Sequence, residues 1–109
     1  MAKHEFGLME TAPVRGVRYD SYEPDQYHCI AAEDEALERY QWDFRDLDCF
    51  AHTLDCPAEG LAWCGITLIP PHTAREMAWM IRFDPSLAAL ISLCDRAAAE
   101  NKYIIHFGL

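Results

Sequence analysis

Along the chain, apolar residues recur at two spacings, and the switches between them predict the elements. From Glu33 to about Leu47, Leu37, Tyr40, Phe44 and Leu47 return every three or four residues, the period of one helix face, with Glu33, Asp34 and Glu35 suited to its positive end. A second helix is expected from Thr73-Ala-Arg-Glu76, a capping-box pattern, to about Phe83. Asp84-Pro85 must break or kink it, because proline cannot donate and disfavours helical geometry in its predecessor. The same pair opens a third helix, Asp84 as N-cap and Pro85 at its first position, with Leu87, Leu90, Ile91, Cys94 and Ala98 on one face to about Asn101.

Short runs rich in aromatic and β-branched residues predict strands at Tyr27 to Ala31, Cys49 to Asp55, Leu61 to Ile69 and Tyr103 to Phe107, with an edge strand at Glu5 to Met9. Asp55-Cys-Pro-Ala-Glu-Gly60 carries proline and glycine where a chain reversal needs them, so the middle of the chain should form a hairpin. From Tyr27 onward this is the ferredoxin-like order, β-α-β-β-α-β: a single-domain α+β two-layer sandwich with an antiparallel sheet, an N-terminal extension and a broken second helix. Leu61 to Ile69 is apolar on both alternations, so both sheet faces should be covered. A homodimer through the open face, or residues 1 to 26 folded over it, would supply the cover.

Composition narrows the functional classes. The net charge is -9, and residues 1 to 60 carry fourteen Asp/Glu against five Lys/Arg, while residues 61 to 109 carry four of each. Such a surface repels phosphate backbones and anionic lipid, so neither nucleic acid nor membrane is an expected partner. No secretory h-region or membrane-length apolar span is read, and five cysteines without framework spacing suit reduced thiols; a cytoplasmic protein is expected.

The richest chemistry lies in CFAHTLDCPAEGLAWCGITLIPPH, residues 49 to 72. Cys49, His52, Cys56, Cys64 and His72 are metal-ligand types, but Cys49 and His52 stand an odd number of residues apart in a predicted strand and face opposite sides. No metal and no cofactor are expected. A Cys64 thiolate beside the His52 imidazole would be a nucleophile, but pairing Leu54 with Leu61 puts the two on opposite faces and leaves Cys64 inert. His52 and His106 each alternate with apolar residues, and with Trp63 opposite they could line one pocket for a small flat ligand, an imidazole serving as acid or base. The competing reading is two separately satisfied core histidines. Tyr19 and Tyr22 belong to an acidic, tyrosine-rich loop that is either a recognition surface or packed by its own rings.

The run His52-Thr-Leu-Asp55, then Gly60-Leu-Ala-Trp-Cys-Gly-Ile-Thr-Leu-Ile-Pro-Pro71, ending in Ile105-His-Phe-Gly-Leu109, resembles a group of short uncharacterised bacterial proteins with no assigned activity. The resemblance implies a stand-alone bacterial protein and transfers no functional residue. The leading expectation is a binding or interaction module forming a homodimer. The alternatives are a small cofactor-independent lyase, isomerase or oxygenase using His52 and His106 beside Trp63, and an acidic protein that binds a basic protein partner through the loop from Tyr19 to Tyr27; Trp63, Cys64, Tyr19 and Tyr22 are the candidate ligand-binding residues.

Overall fold

The computed structural model describes residues 2–109. Six strands form one antiparallel sheet: β1 (Lys3–Leu8), β2 (Ile30–Glu33), β3 (Asp48–Ala51), β4 (Pro57–Glu59), β5 (Ile66–Ile69) and β6 (Ile104–Phe107), in the order β2-β1-β6-β5-β3-β4. The helices are α1 (Asp34–Glu38), α2 (Gln41–Phe44), α3 (Pro71–Ile81) and α4 (Ala88–Glu100). An α+β domain with an antiparallel sheet is therefore present. The finer ferredoxin-like arrangement is not confirmed, because the sheet has six strands and the strand leading into the first helix lies at its edge. Its central place is taken by β1, which pairs with β2 on one side and β6 on the other.

Local differences from expectation have tertiary causes. The helix expected over 33 to 47 is two short ones, interrupted at Tyr40 (φ -108°, ψ 5°). There the Tyr40 hydroxyl donates to Asp84 Oδ2 at 2.8 Å and Arg39 pairs with the same oxygen at 3.0 Å, while Leu37 and Phe44 stay buried. A few tenths of a kcal/mol of helix propensity per residue does not outweigh such contacts. Asp84 caps as expected: its side chain accepts from the Ser86 N–H at 3.0 Å, a 3-10 turn over Pro85–Leu87 leads into α4, and Asn101 ends α4 in left-handed geometry. Helix α3 starts earlier than the capping box implies, with Pro71 at its first position. The Thr73 hydroxyl donates instead to the Asp48 carbonyl at 2.6 Å.

The central reversal is shifted too. β3 ends at Ala51, and the chain turns through residues 52–56, with Ala51 N–H donating to the Cys56 carbonyl at 2.9 Å. Pro57–Glu59, expected within the turn, is an edge strand on β3, a position where proline's missing donor is harmless. Leu54 and Leu61 lie outside the strands; the register is Phe50↔Leu68 and Ala51↔Thr67.

Both faces are covered. One packs Phe6, Leu8, Ile69 and Ile104 against Leu37, Phe44, Met77, Ile81, Leu90 and Cys94 of the helices. The other gathers Ile66, Leu68, Ile105 and Phe107 beneath Tyr19, Tyr27 and Cys29 of the long segment between β1 and β2. The cover expected from residues 1 to 26 is present only in part: Lys3–Leu8 is a strand of the sheet, and Tyr27 and Cys29, expected in a strand, belong instead to the covering segment, whose inner layer approaches the sheet closely at Gly7. A Cβ on Gly7 would sit 2.5 Å from the Tyr27 Cβ and 2.7 Å from the Cys29 Sγ.

Gly7→Ala is predicted to destabilise the fold by about 1–3 kcal/mol through overpacking, lowering the thermal midpoint by roughly 4 °C or more. It should also speed alkylation of Cys29, whose thiol burial holds well up at about 12. An unchanged melting curve with unchanged labelling would show that the segment does not pack on Gly7.

Candidate functional site

The sheet's helix-covered side carries a buried polar chain. His4 of β1 and His106 of β6 are both fully buried, set near each other by the register Phe6↔His106. Asp34, first residue of α1, is brought over β1 by the pairing of β2 with it, Lys3↔Glu33. Asp34 Oδ1 accepts from His4 Nε2 at 2.9 Å and from the Trp63 indole N–H at 2.8 Å. His4 Nδ1 and His106 Nε2 are 2.8 Å apart, with the rings nearly parallel, and the Trp63 ring meets His4 edge-on at a centroid distance of 4.9 Å.

Donor and acceptor logic orders the protons. With Nε2–H of His4 directed at the carboxylate, a neutral His4 accepts at Nδ1 from His106 Nε2–H. That leaves His106 Nδ1 with a bare lone pair, and it is the one buried side-chain polar atom lacking a partner among the described residues. Phe6 stacks on the His106 ring at 4.6 Å. Burial pushes the His106 imidazole down to about 3, so it stays neutral at physiological pH. Asp34 is held below the usual carboxylate range, first by the His4 hydrogen bond and then by Trp63.

The loop bearing Trp63 is pinned by its backbone. Ala62 N–H donates to Thr67 Oγ1 at 2.9 Å, Leu109 N–H to the Trp63 carbonyl at 2.8 Å, and Gly108 N–H to the Gly65 carbonyl at 2.7 Å. Gly108 is required there, since a Cβ would lie 2.6 Å from the Trp63 carbonyl oxygen.

Of the residues singled out from the sequence, His106 and Trp63 do meet in one cluster, through Asp34 and His4. His52 has a separate set of partners. Its backbone adopts a left-handed φ of 61°, its Nδ1 faces Asp20 Oδ1 at 2.8 Å and the Tyr19 carbonyl at 3.2 Å, and its Nε2 accepts from the Ile66 N–H at 3.4 Å. The ring thus clamps the covering segment to β5. Cys64 is exposed in the loop before β5, and all five cysteines are free thiols. Tyr19 is half-buried on the second face, whereas Tyr22 is exposed, stands edge-on over Phe107 and donates its hydroxyl to Glu5. Among the described residues no group of three or more His, Cys, Asp or Glu side chains is placed to hold a metal ion, and no helix is long and apolar enough to cross a membrane.

From the sequence, His4 is expected near the end of an element and in contact with solvent; it is instead fully buried, because β1 begins at Lys3 and lies between two strands. His4 alternates with Phe6 and Leu8, the same signal that drew attention to His106, but its strand reads as an edge. Asp34 reads as an ordinary helix-start acid.

A second arrangement lies outside. Trp42, Trp79 and Phe83 are 72%, 66% and 84% exposed. Arg45 lies 3.6 Å over the Trp42 ring and donates to the Trp42 carbonyl at 2.8 Å; Arg82 lies 3.6 Å over the Trp79 ring, donates to its carbonyl at 2.6 Å and stands 4.5 Å from the Phe83 ring. The shared sequence pattern is Trp-x-x-Arg, at the ends of α2 and α3, where a cation also suits the negative helix terminus. The Tyr40–Asp84 bond ties the residue before α2 to the segment after α3.

These features define a six-stranded antiparallel α+β protein with an Asp-His-His chain whose two imidazoles are buried and whose carboxylate is part-exposed, and with indole–guanidinium units outside. Comparison with protein-family models, with curated proteins and with solved structures finds no match.

Acid should weaken the fold through His106. Its folded value, near 3, lies below the unfolded 6.5, so the unfolded chain binds a proton that the folded chain refuses. Stability is full above about pH 6.5 and is lost on descending toward 3, with a limiting slope of about 1.4 kcal/mol per pH unit. Asp34 adds a loss of the same sign below its ordinary range. Denaturant melts from pH 7 to 4 should show this slope in the wild type and a flatter one in His106→Leu; equal slopes would remove His106 from the linkage.

Proposed function

We propose that the protein is an interaction module that self-associates, and that its contact face is the exposed aromatic–guanidinium end formed by Trp79, Arg82 and Phe83 with Trp42 and Arg45. The carrying observation is Arg82 set between two exposed rings. Trp, Tyr and Arg are the residues on which binding energy concentrates, and Trp79 and Phe83 both stand exposed about Arg82. Each ring buries roughly 150–250 Å² when covered, so three supply the core of a contact of about 800 Å² per partner.

A second copy is the occupant that charge and symmetry favour. Each unit carries both an indole and a guanidinium, so across a two-fold axis the ring of one copy can meet the outer face of the other's arginine. Arginine at this end also offsets part of the repulsion that a net charge of -9 imposes between copies. The bacterial, cytoplasmic setting belongs to the same proposal. The enzyme alternative has less support because His52 and His106 have separate partners and no residue of the Asp34–His4–His106 chain lines any of four surface clefts.

Sedimentation velocity provides the test. The wild type should dimerise, and more tightly as salt screens like-charged copies; Trp79→Ala/Phe83→Ala should be monomeric with an unchanged melting curve. A wild type that stays monomeric at high concentration in both low and high salt would overturn self-association. Capture of a basic protein that weakens with salt would point instead to a basic partner.

A further inference from the structure

A cleft of about 530 Å³ opens between the tyrosine-rich segment, the end of β1 and α4, within the usual size range for small-molecule sites. Leu8, Met9 and Leu93 give it an apolar floor, and Tyr19 and Tyr27 form an aromatic wall. Gln26 and His28 add an amide and an imidazole to the rim. His28 is held at a left-handed φ of 51° in a turn closed by Cys29 N–H on the Pro24 carbonyl at 3.0 Å, a conformation that a non-glycine residue rarely adopts without cause.

The charges at the mouth select the ligand. Arg96 and Glu10 both line the cleft, and their contact, Nη2 to Oε1, is 3.6 Å, too long for a hydrogen bond. Arg96 also pairs with Glu100 at 2.9 Å, and Lys102 bridges Glu10 and Glu100 at 2.9 and 3.0 Å. Two cations and two anions sum to zero here, so the mouth favours neither a simple anion nor a simple cation. An exposed, stretched ion pair contributes little and is readily opened. A molecule carrying an ammonium and a carboxylate a few ångströms apart would meet both ends at once, ammonium to Glu10 and carboxylate to Arg96, with an aromatic body against the tyrosines and the apolar floor.

We propose that this cleft binds a small zwitterion with an aromatic body, of the chemical class of aromatic amino acids. The site is separate from the self-association face, so the two proposals stand or fall independently.

Calorimetric and NMR titration of the 109-residue chain with L-phenylalanine, 3-phenylpropionate and phenethylamine tests it. Saturable binding of L-phenylalanine is expected, at least tenfold tighter than either analogue lacking one charge. Arg96→Ala, at an exposed position, should weaken it at least tenfold with a native melting curve. Leu93→Trp, which fills the cleft, should abolish it, and Trp79→Ala/Phe83→Ala should leave it unchanged. No saturable binding up to the solubility limit, equal affinity for the two truncated analogues and the amino acid, or wild-type affinity in Arg96→Ala would overturn the proposal.

Discussion

One carboxylate oxygen, Asp34 Oδ1, receives both the imidazole of His4 and the indole of Trp63, and through His4 it reaches His106. Four segments remote in sequence meet there: β1, the start of α1, the loop before β5, and β6. Buried imidazole and indole N–H groups cost more unpaired than they contribute paired, so the chain of bonds acts mainly by penalising other arrangements. A one-residue slip of β1 against β6 would move His4 to the opposite face and strand three polar groups at once. The single unpartnered nitrogen, His106 Nδ1, is the residual cost.

The sheet then divides the molecule into two coverings of different character. The helical side is apolar contact of ordinary kind, with α3 and α4 packed over β1, β5 and β6. The other side relies on a long segment without regular structure, which needs specific anchors. Gly7 lets it approach, His52 holds Tyr19 and Asp20, and Asp55 accepts from the Gly16 N–H at 2.7 Å. His52 thus serves as one fastening of this cover.

Interior and surface chemistry are thereby separated. The histidines most suggestive of catalysis are committed to internal bonds, with burial keeping His106 neutral. The groups that remain available to another molecule are side chains at helix ends and loop rims: the arginines folded on Trp42 and Trp79, and the charged mouth beneath the tyrosines.

Several features were legible in the order of residues alone. Asp84-Pro85 broke one helix and opened the next because proline's constraint is local. The face Leu87, Leu90 and Cys94 was buried because helical periodicity carries its own geometry, and Gly60 took the expected positive φ although the reversal itself lies earlier, at residues 52–56. An imidazole beside an indole in the packed interior was also anticipated, but the ring is that of His4, not His52. Strand neighbours, register and partner identity were decided only by tertiary structure. Whether β1 is an edge or a centre, or whether Tyr40 continues a helix or turns toward Asp84, depends on contacts across tens of residues. Local propensity is worth too little, residue by residue, to determine them.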